Sequence, residues 1–423
     1  MLFRFSLAGF VGALCIALLL TACDGTAPSE SADSLEATDE RPVPLLLVSI
    51  DGLRYDYLDI YDAPTLEALA ESGTHVEEVT HSFPTKTFPN HYTIATGLHP
   101  ANHGIISNNM YDEELGQFSL GNREAIEDGR WWGGEPIWVT AEKQGLTSHA
   151  FFWPGTEAEI QGVRPTEWKQ YDGSVPGEDR VDQILAWLDL PDDERPDFMT
   201  LYFSKVDSRG HQYGPEHEEV GQALAEVDGY LARLLHGLEE RGLLDQLNML
   251  IVSDHGMSPT SQDRVIILDD YIDLDDVYMV DYNPVAMMNV RDERTTPEDL
   301  VEALSEAPNS EAFVRGDLPE ELHFYGHDRI PDVIVIADDE WTISTRDFFE
   351  RDPSRADGGT HGYHPELQSM KSLAIASGPG FRSSHTVPGI HATDFYEAMT
   401  ALLGLEPAEN DGSPEAAQQL LRE

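Results

Sequence analysis

Three stretches of the chain share one pattern: a mainly apolar run followed at once by a polar turn carrying an acid, and in two cases histidine. "VPLLLVSIDG" (43–52) stops at Asp51, "PDFMTLYFSKVDSRGH" (196–211) ends near Asp207 and His211, and "LNMLIVSDHGM" (247–257) ends in Asp254 and His255. Short, mainly apolar runs without alternation, β-branched or aromatic, predict buried strands. Between them "APTLEALAESG" (63–73), "DRVDQILAWLDL" (179–190) and "EVGQALAEVDGYLARLLHGLEERG" (219–242) space their apolar residues as helices do. Strand–helix alternation predicts an α/β fold, with a mostly parallel central sheet and helices on both faces.

Ligands of such sheets bind beyond the carboxyl ends of the strands, where all three acidic ends fall. A lone Asp after a strand is usually a turn residue or a cap. Three together, two with histidine nearby, point instead to a metal. Adjacent residues within a strand face opposite sides, so Asp254 and His255 can share an ion only where the chain turns. "GGTHGYHP" (358–365) adds His361 on a glycine-rich loop able to approach closely. Carboxylate and imidazole donors without thiolate suit zinc, and also manganese or iron.

"SFPTKTFPNHY" (82–92) is too broken by proline for a helix interior and too polar for a core strand. Either Thr85 or Thr87 could offer a hydroxyl that metal ions activate for attack on phosphorus. Thr87 could equally cap a helix running through "NHYTIATG". Lys86 is read either as a phosphate clamp or as a solvated or carbonyl-bonded lysine. His91 and His103 read as structural, hydrogen-bonded near the turn.

Charge narrows the partners. Acidic residues number 78 against 26 basic ones, a formal net charge of −52. Such a surface repels nucleic-acid polymers and suits hydration in strong salt. No DxDxDG loop supports a calcium-binding reading. Both cysteines, Cys15 and Cys23, lie in the leader, so the body has neither disulfides nor a zinc–thiolate site. Arg4, the apolar "LAGFVGALCIALLL" and then "LTAC" (20–23) resemble a bacterial lipoprotein signal. The expectation is a signal peptide over 1–22, lipidation of Cys23 and a disordered tether to residue 42. An exported, lipid-anchored protein facing the periplasm or cell exterior follows from these.

"PTKTFPNHYTIATGLHPANHGIISNNMYD", "WWGGEPIWVTAEKQG", "YDGSVPGEDR", "SDHGM" and "GTHGY" together resemble the nucleotide pyrophosphatase/phosphodiesterase family of the alkaline phosphatase superfamily, from about residue 44 onward. The resemblance implies two zinc ions: one on Asp51, Asp254, His255 and Thr87, the other on Asp207, His211 and His361. It implies Thr87 as the nucleophile of a covalent intermediate and Asn108 as the donor to a phosphate oxygen. Phe88 and Tyr171 match the aromatic pair that sandwiches the base. It further implies one catalytic domain over 43–423, with an inserted cap within about 260–355. Residues 338–352, just before the His361 loop, could line the mouth of the site. After "GTHGY" the family usually continues Asp-Asn, whereas this chain has His364-Pro365. Expected substrates are nucleotides or other small phosphodiesters. Sister hydrolases acting on lysophospholipids, phosphonoacetate or phosphomonoesters remain the alternative. Sulfatases are disfavoured, because their Cys/Ser-x-Pro-x-Arg signature is absent. No arginine lies between residues 75 and 106, which favours diesters over doubly charged monoesters.

Overall fold

The first apolar run is strand β1 (Leu45–Ile50), buried along its whole length. Leu45 and Leu47 face one core, and Leu46, Val48 and Ile50 the other. With both faces covered there is no solvated position, so the run does not alternate, and its one polar side chain, Ser49, is buried against His91. The remaining strands of this sheet are β2 (Thr74–Thr80), β3 (Ser148–Phe151), β4 (Glu167–Lys169), β5 (Phe198–Phe203), β6 (Asn248–Val252), β7 (Ser372–Ser377) and β8 (His385–His391). Their order is β8-β2-β7-β6-β1-β5-β3-β4. β7 runs antiparallel to both neighbours; every other pairing is parallel. The mostly parallel sheet expected from the sequence is the one that forms. The chain is described by a computed structural model covering residues 41–292 and 294–422. The expected signal peptide, Cys23 and the expected tether as far as residue 40 lie outside the described residues.

Helices Pro64–Ser72, Gly177–Leu188 and Glu218–Glu240 cover one face, burying Leu66, Ile184 and Leu231. Helices Thr87–Thr96, Ile137–Lys143 and Asp394–Leu403 cover the other, burying Ile94, Trp138 and Met399. Each such side chain contributes about 1.5–3 kcal/mol on burial. Among the described residues, no helix is long and apolar enough to cross a membrane.

A second, antiparallel sheet takes the strands Val277–Asp281, Val285–Val290, Val333–Ala337 and Ser310–Val314 in that order. It lies within residues 260–355, and its third core takes in Tyr363 and Met370 from the chain beyond. One local difference matters to the site. β5 is followed not by a turn but directly by helix Lys205–Tyr213. Asp207 sits in its first turn and His211 in its last, each favourably placed against the helix dipole. The four-residue spacing puts them on one helical face.

Candidate metal centre and active site

β6, β1 and β5 are neighbours, and their registers pair Ser49 with Val252 and Ile50 with Phe203. Their carboxyl ends are thereby level, and the chemistry-bearing residues leave the sheet at one place. Gly52, directly after Asp51, has φ +71°, and a Cβ there would stand 3.0 Å from the Asp207 Cα. Only glycine lets helix Lys205–Tyr213 come this close. The Asp207 amide donates to the Asp51 carbonyl at 3.0 Å. On the far loop, a Cβ on Gly358 (φ +122°) would meet the His211 carbonyl oxygen at 2.2 Å.

Two clusters result. Asp51, Asp254 and His255 form a buried one, and Asp207, His211 and His361 a more open one. Within each, one ligand atom per residue lies within 4.8 Å of the others. The His255 and His361 rings stack with centroids 3.4 Å apart, so the clusters adjoin.

The donor set fits metal ions. Nδ1 of His211, His255 and His361 faces the carbonyl oxygens of Gly359 (2.8 Å), Gly256 (2.9 Å) and Thr85 (2.8 Å) respectively. A carbonyl only accepts, so Nδ1 must carry the proton, and in the neutral ring Nε2 presents a lone pair to the cluster. His255 Nε2 then stands 2.9 Å from Asp254 Oδ2, acceptor against acceptor. That approach requires a cation or an extra proton between them. Asp51 Oδ1, Asp207 Oδ1 and Asp254 Oδ2 are buried without hydrogen-bond partners among the described residues, as metal-ligating oxygens would be.

Electrostatics also call for positive charge. Burial, then Asp254 and Asp207, push the Asp51 carboxyl well up. Burial acts on Asp254 in the same sense, but His255 and His91 outweigh it and hold that carboxyl well below the usual range. Burial opposes protonation of His211, yet Asp207 prevails and pushes it up to about 9. Burial and the neighbouring His255 and His211 drive His361 well down. Sequence reading missed Tyr202, whose hydroxyl donates to Asp51 Oδ2 at 2.5 Å. Its position in a buried strand gave no signal. His91, read as structural, is buried between Ser49 Oγ (2.8 Å) and Asp254 Oδ2 (3.3 Å).

The two threonines separate clearly. Thr85 is fully buried; its Oγ1 accepts from the Gly362 amide and donates to the Tyr363 carbonyl, both at 3.0 Å. Thr87 Oγ1 instead lies 3.4 Å from His255 Nε2. Thr87 is the first residue of its helix, and Lys86 holds the N-cap position, so Thr87 is not a cap. Lys86 is neither clamp nor solvated: it is buried against Asp281 at 2.6 Å. His364, where the chain departs from the family pattern, is half-buried and accepts from the Glu366 amide at 3.2 Å. Asn108 Oδ1 accepts from the Phe88 amide at 2.9 Å, which orients its amide group beside Thr87.

A cavity of about 270 Å3 touches Asp51, Thr87 and Asp207 and is lined by Phe88 and Tyr171. Phe88 packs on Phe118 and Trp132. Tyr171 is 43% exposed and rests its edge on Phe152. Arg123 also lines this cavity. The arginine-free stretch of sequence is therefore not an arginine-free site. The guanidinium is engaged, however, by Glu157 and, at 3.3 Å, by Glu127.

Residues 45–364 match the family model described as type I phosphodiesterase / nucleotide pyrophosphatase. The chain is 41% identical over 393 residues to venom phosphodiesterase CdcPDE of Crotalus durissus collilineatus, covering 90% of this chain and 46% of the relative. It is 39% identical to human ectonucleotide pyrophosphatase/phosphodiesterase family member 1, covering 90% and 42%. The chain thus spans about half the length of the curated relatives it matches. Murine ectonucleotide pyrophosphatase/phosphodiesterase 5, solved as an inactive variant with AMP, superposes with a TM-score of 0.84 at 34% identity, covering 90% of this chain and all of that one.

Proposed function

This chain belongs to the type I phosphodiesterase / nucleotide pyrophosphatase family, and on that premise we propose that it hydrolyses phosphodiester and phosphoanhydride bonds of nucleotides, releasing nucleoside 5′-monophosphate. The observation that carries this is the position of Thr87. Its hydroxyl stands against the buried cluster, 3.4 Å from His255 Nε2, and on the wall of the cavity lined by Phe88 and Tyr171.

Two zinc ions would be held, one by Asp51, Asp254, His255 and Thr87 and the other by Asp207, His211 and His361. When bound, they supply positive charge that lowers the pKa of the attacking hydroxyl and of water and offsets charge on the phosphate. The chain does the rest. Thr87 sits at the positive end of its helix, which favours its alkoxide. Its Oγ1 bonds to phosphorus while the leaving oxygen departs with the electron pair on the opposite side. Water then cleaves the threonine ester, its oxygen staying on the nucleoside monophosphate and the hydroxyl of Thr87 being restored. Asn108 steadies a non-bridging oxygen through its amide donor. Phe88 and Tyr171 hold the base by stacking.

The test is Thr87→Ala, measured with p-nitrophenyl thymidine monophosphate and for bound metal. Turnover should be lost while metal stays, because Asp51, Asp254 and His255 remain. A fully active Thr87→Ala protein sinks the proposal. A catalytic domain over 43–423 with its cap within 260–355, bacterial origin, and export with lipidation at Cys23 belong to the same reading. Cys23→Ser should move the protein from the membrane fraction to the soluble one; an unchanged distribution rejects the anchor.

A further inference from the structure

The buried cluster treats its two carboxylates alike. Asp254 accepts from the Gly52 amide through Oδ1 at 3.3 Å, and its Oδ2 stands 2.9 Å from His255 Nε2. Asp51 turns Oδ1 to 3.4 Å from the same Nε2 and accepts from the Tyr202 hydroxyl through Oδ2 at 2.5 Å. The two inward oxygens are the ones without hydrogen-bond partners among the described residues. Each acid thus aims one oxygen at the place where a cation is required and has the other tied down. The ties differ in kind. Asp254 is held by backbone, whereas the outer oxygen of Asp51 is held by a side chain that a single substitution can remove.

That side chain has little freedom. The Tyr202 ring meets His91 and Tyr171 edge to face, with centroids 5.3 and 6.0 Å away. Arg180 Nη1 donates to the Tyr202 carbonyl at 2.7 Å. The same guanidinium lies 5.0 Å from the centre of the Phe152 ring, on which Tyr171 rests. Phe152 is itself buried and held at φ +66°, a conformation that a bulky residue keeps only where its surroundings impose it. The hydroxyl is therefore presented to Asp51 by a rigid wall. Without it, Oδ2 would be buried with no donor, and the carboxylate would have to turn.

We propose that Tyr202 is a positioning residue of the metal centre: by holding Oδ2 it commits Asp51 to binding the buried ion through Oδ1 alone. The second oxygen is thereby kept away from His255 Nε2, which Thr87 Oγ1 also faces at 3.4 Å. This rests on the two-ion phosphodiesterase reading above.

The experiment uses Tyr202→Phe, which keeps the ring and its contacts and removes only the hydroxyl. Zinc is titrated into chelator-stripped protein in competition with a chromogenic chelator. The unmutated protein should take two equivalents. In Tyr202→Phe one of them should weaken about tenfold, as loss of a hydrogen bond to a metal ligand implies, and the other should not change. With zinc saturating, kcat should fall about tenfold on both p-nitrophenyl thymidine monophosphate and bis(p-nitrophenyl) phosphate, because Asp51 serves the phosphate and not the base. Unchanged affinity of both equivalents overturns the proposal. So does a rate loss confined to the nucleotide ester, which would make Tyr202 part of the base platform only. If the unmutated protein binds zinc but hydrolyses neither ester, the phosphodiesterase reading falls while the titration still decides the role of Tyr202. If it binds no zinc, both fall.

Discussion

The Lys86 ammonium lies 2.6 Å from the Asp281 carboxylate, and both side chains are buried. Asp281 ends an edge strand of the second sheet, while Lys86 precedes Thr87. The same carboxylate accepts from Ser107 Oγ at 2.5 Å and Asn109 Nδ2 at 3.2 Å, the two neighbours of Asn108. One acid from the second sheet thus fixes both the turn that carries Thr87 and the loop that carries Asn108.

Asp281→Asn should therefore lower kcat, by about tenfold, since small misplacements of reacting groups carry large rate costs. KM and bound metal should hardly change. Wild-type kcat in this variant would reject the positioning role. The pair also has a pH signature. Burial pushes the Asp281 carboxyl up, but Lys86 and the hydrogen bonds outweigh it and depress its pKa. Its contribution to stability is thus full above the ordinary carboxylate range and fades as pH falls through the depressed value. Urea midpoints between pH 7 and acid should converge for Asp281→Asn and the unmutated protein; a constant gap contradicts this.

Thr85 and Thr87 should respond differently to truncation. Thr85→Ala leaves the Gly362 amide without its partner and the Tyr363 carbonyl without its donor, at a cost of about 1–3 kcal/mol. It should lower the melting temperature and only partly reduce turnover, through the loop that carries His361. Thr85→Ser should recover most of both. Complete inactivity of Thr85→Ala at unchanged melting temperature would mean that Thr85 acts chemically.

The centre should depend on metal and on one glycine. Chelation should abolish turnover, and zinc should restore it; an active metal-free protein would refute the mechanism. Gly358→Ala forces a methyl group against the His211 carbonyl at 2.2 Å and onto a positive φ. Bound metal should fall by up to about one ion per chain, because each site relies on three or four fixed ligands. Full metal content in that variant would show that the loop can yield.

The six acidic and histidine residues named from the strand ends and the glycine loop converge in space because strand order follows from buried runs. β1, β5 and β6 are mainly apolar and buried along their whole length, as central parallel strands covered on both faces are. Tyr202, Arg123 and Asp281 were not legible. Tyr202 reads as one more aromatic in a strand. Arg123 reaches the cavity from a different part of the chain, and Asp281 from the second sheet. Local pattern fixes which residues end strands, but not which distant side chains fold over them.

Arg123 bears directly on selectivity. On the proposed mechanism, two metal ions and Asn108 would meet the single charge of a diester, whereas a monoester's second charge needs a further cation. Arg123 could supply one in space, but Glu157 and Glu127 hold its guanidinium. The unmutated protein should therefore favour p-nitrophenyl thymidine monophosphate over p-nitrophenyl phosphate by orders of magnitude in kcat/KM. Tyr171→Ala should narrow that gap by removing the proposed base platform, where stacking is worth about 1–3 kcal/mol. Glu157→Gln should narrow it from the other side. Its amide still accepts from the Tyr171 backbone, which now bonds to Glu157 Oε1 at 3.2 Å. It no longer neutralises Arg123, so activity on the monoester should rise while the diester changes little. If Glu157→Gln leaves the monoester rate where it was, Arg123 is a structural residue of the cavity wall and plays no part in excluding monoesters.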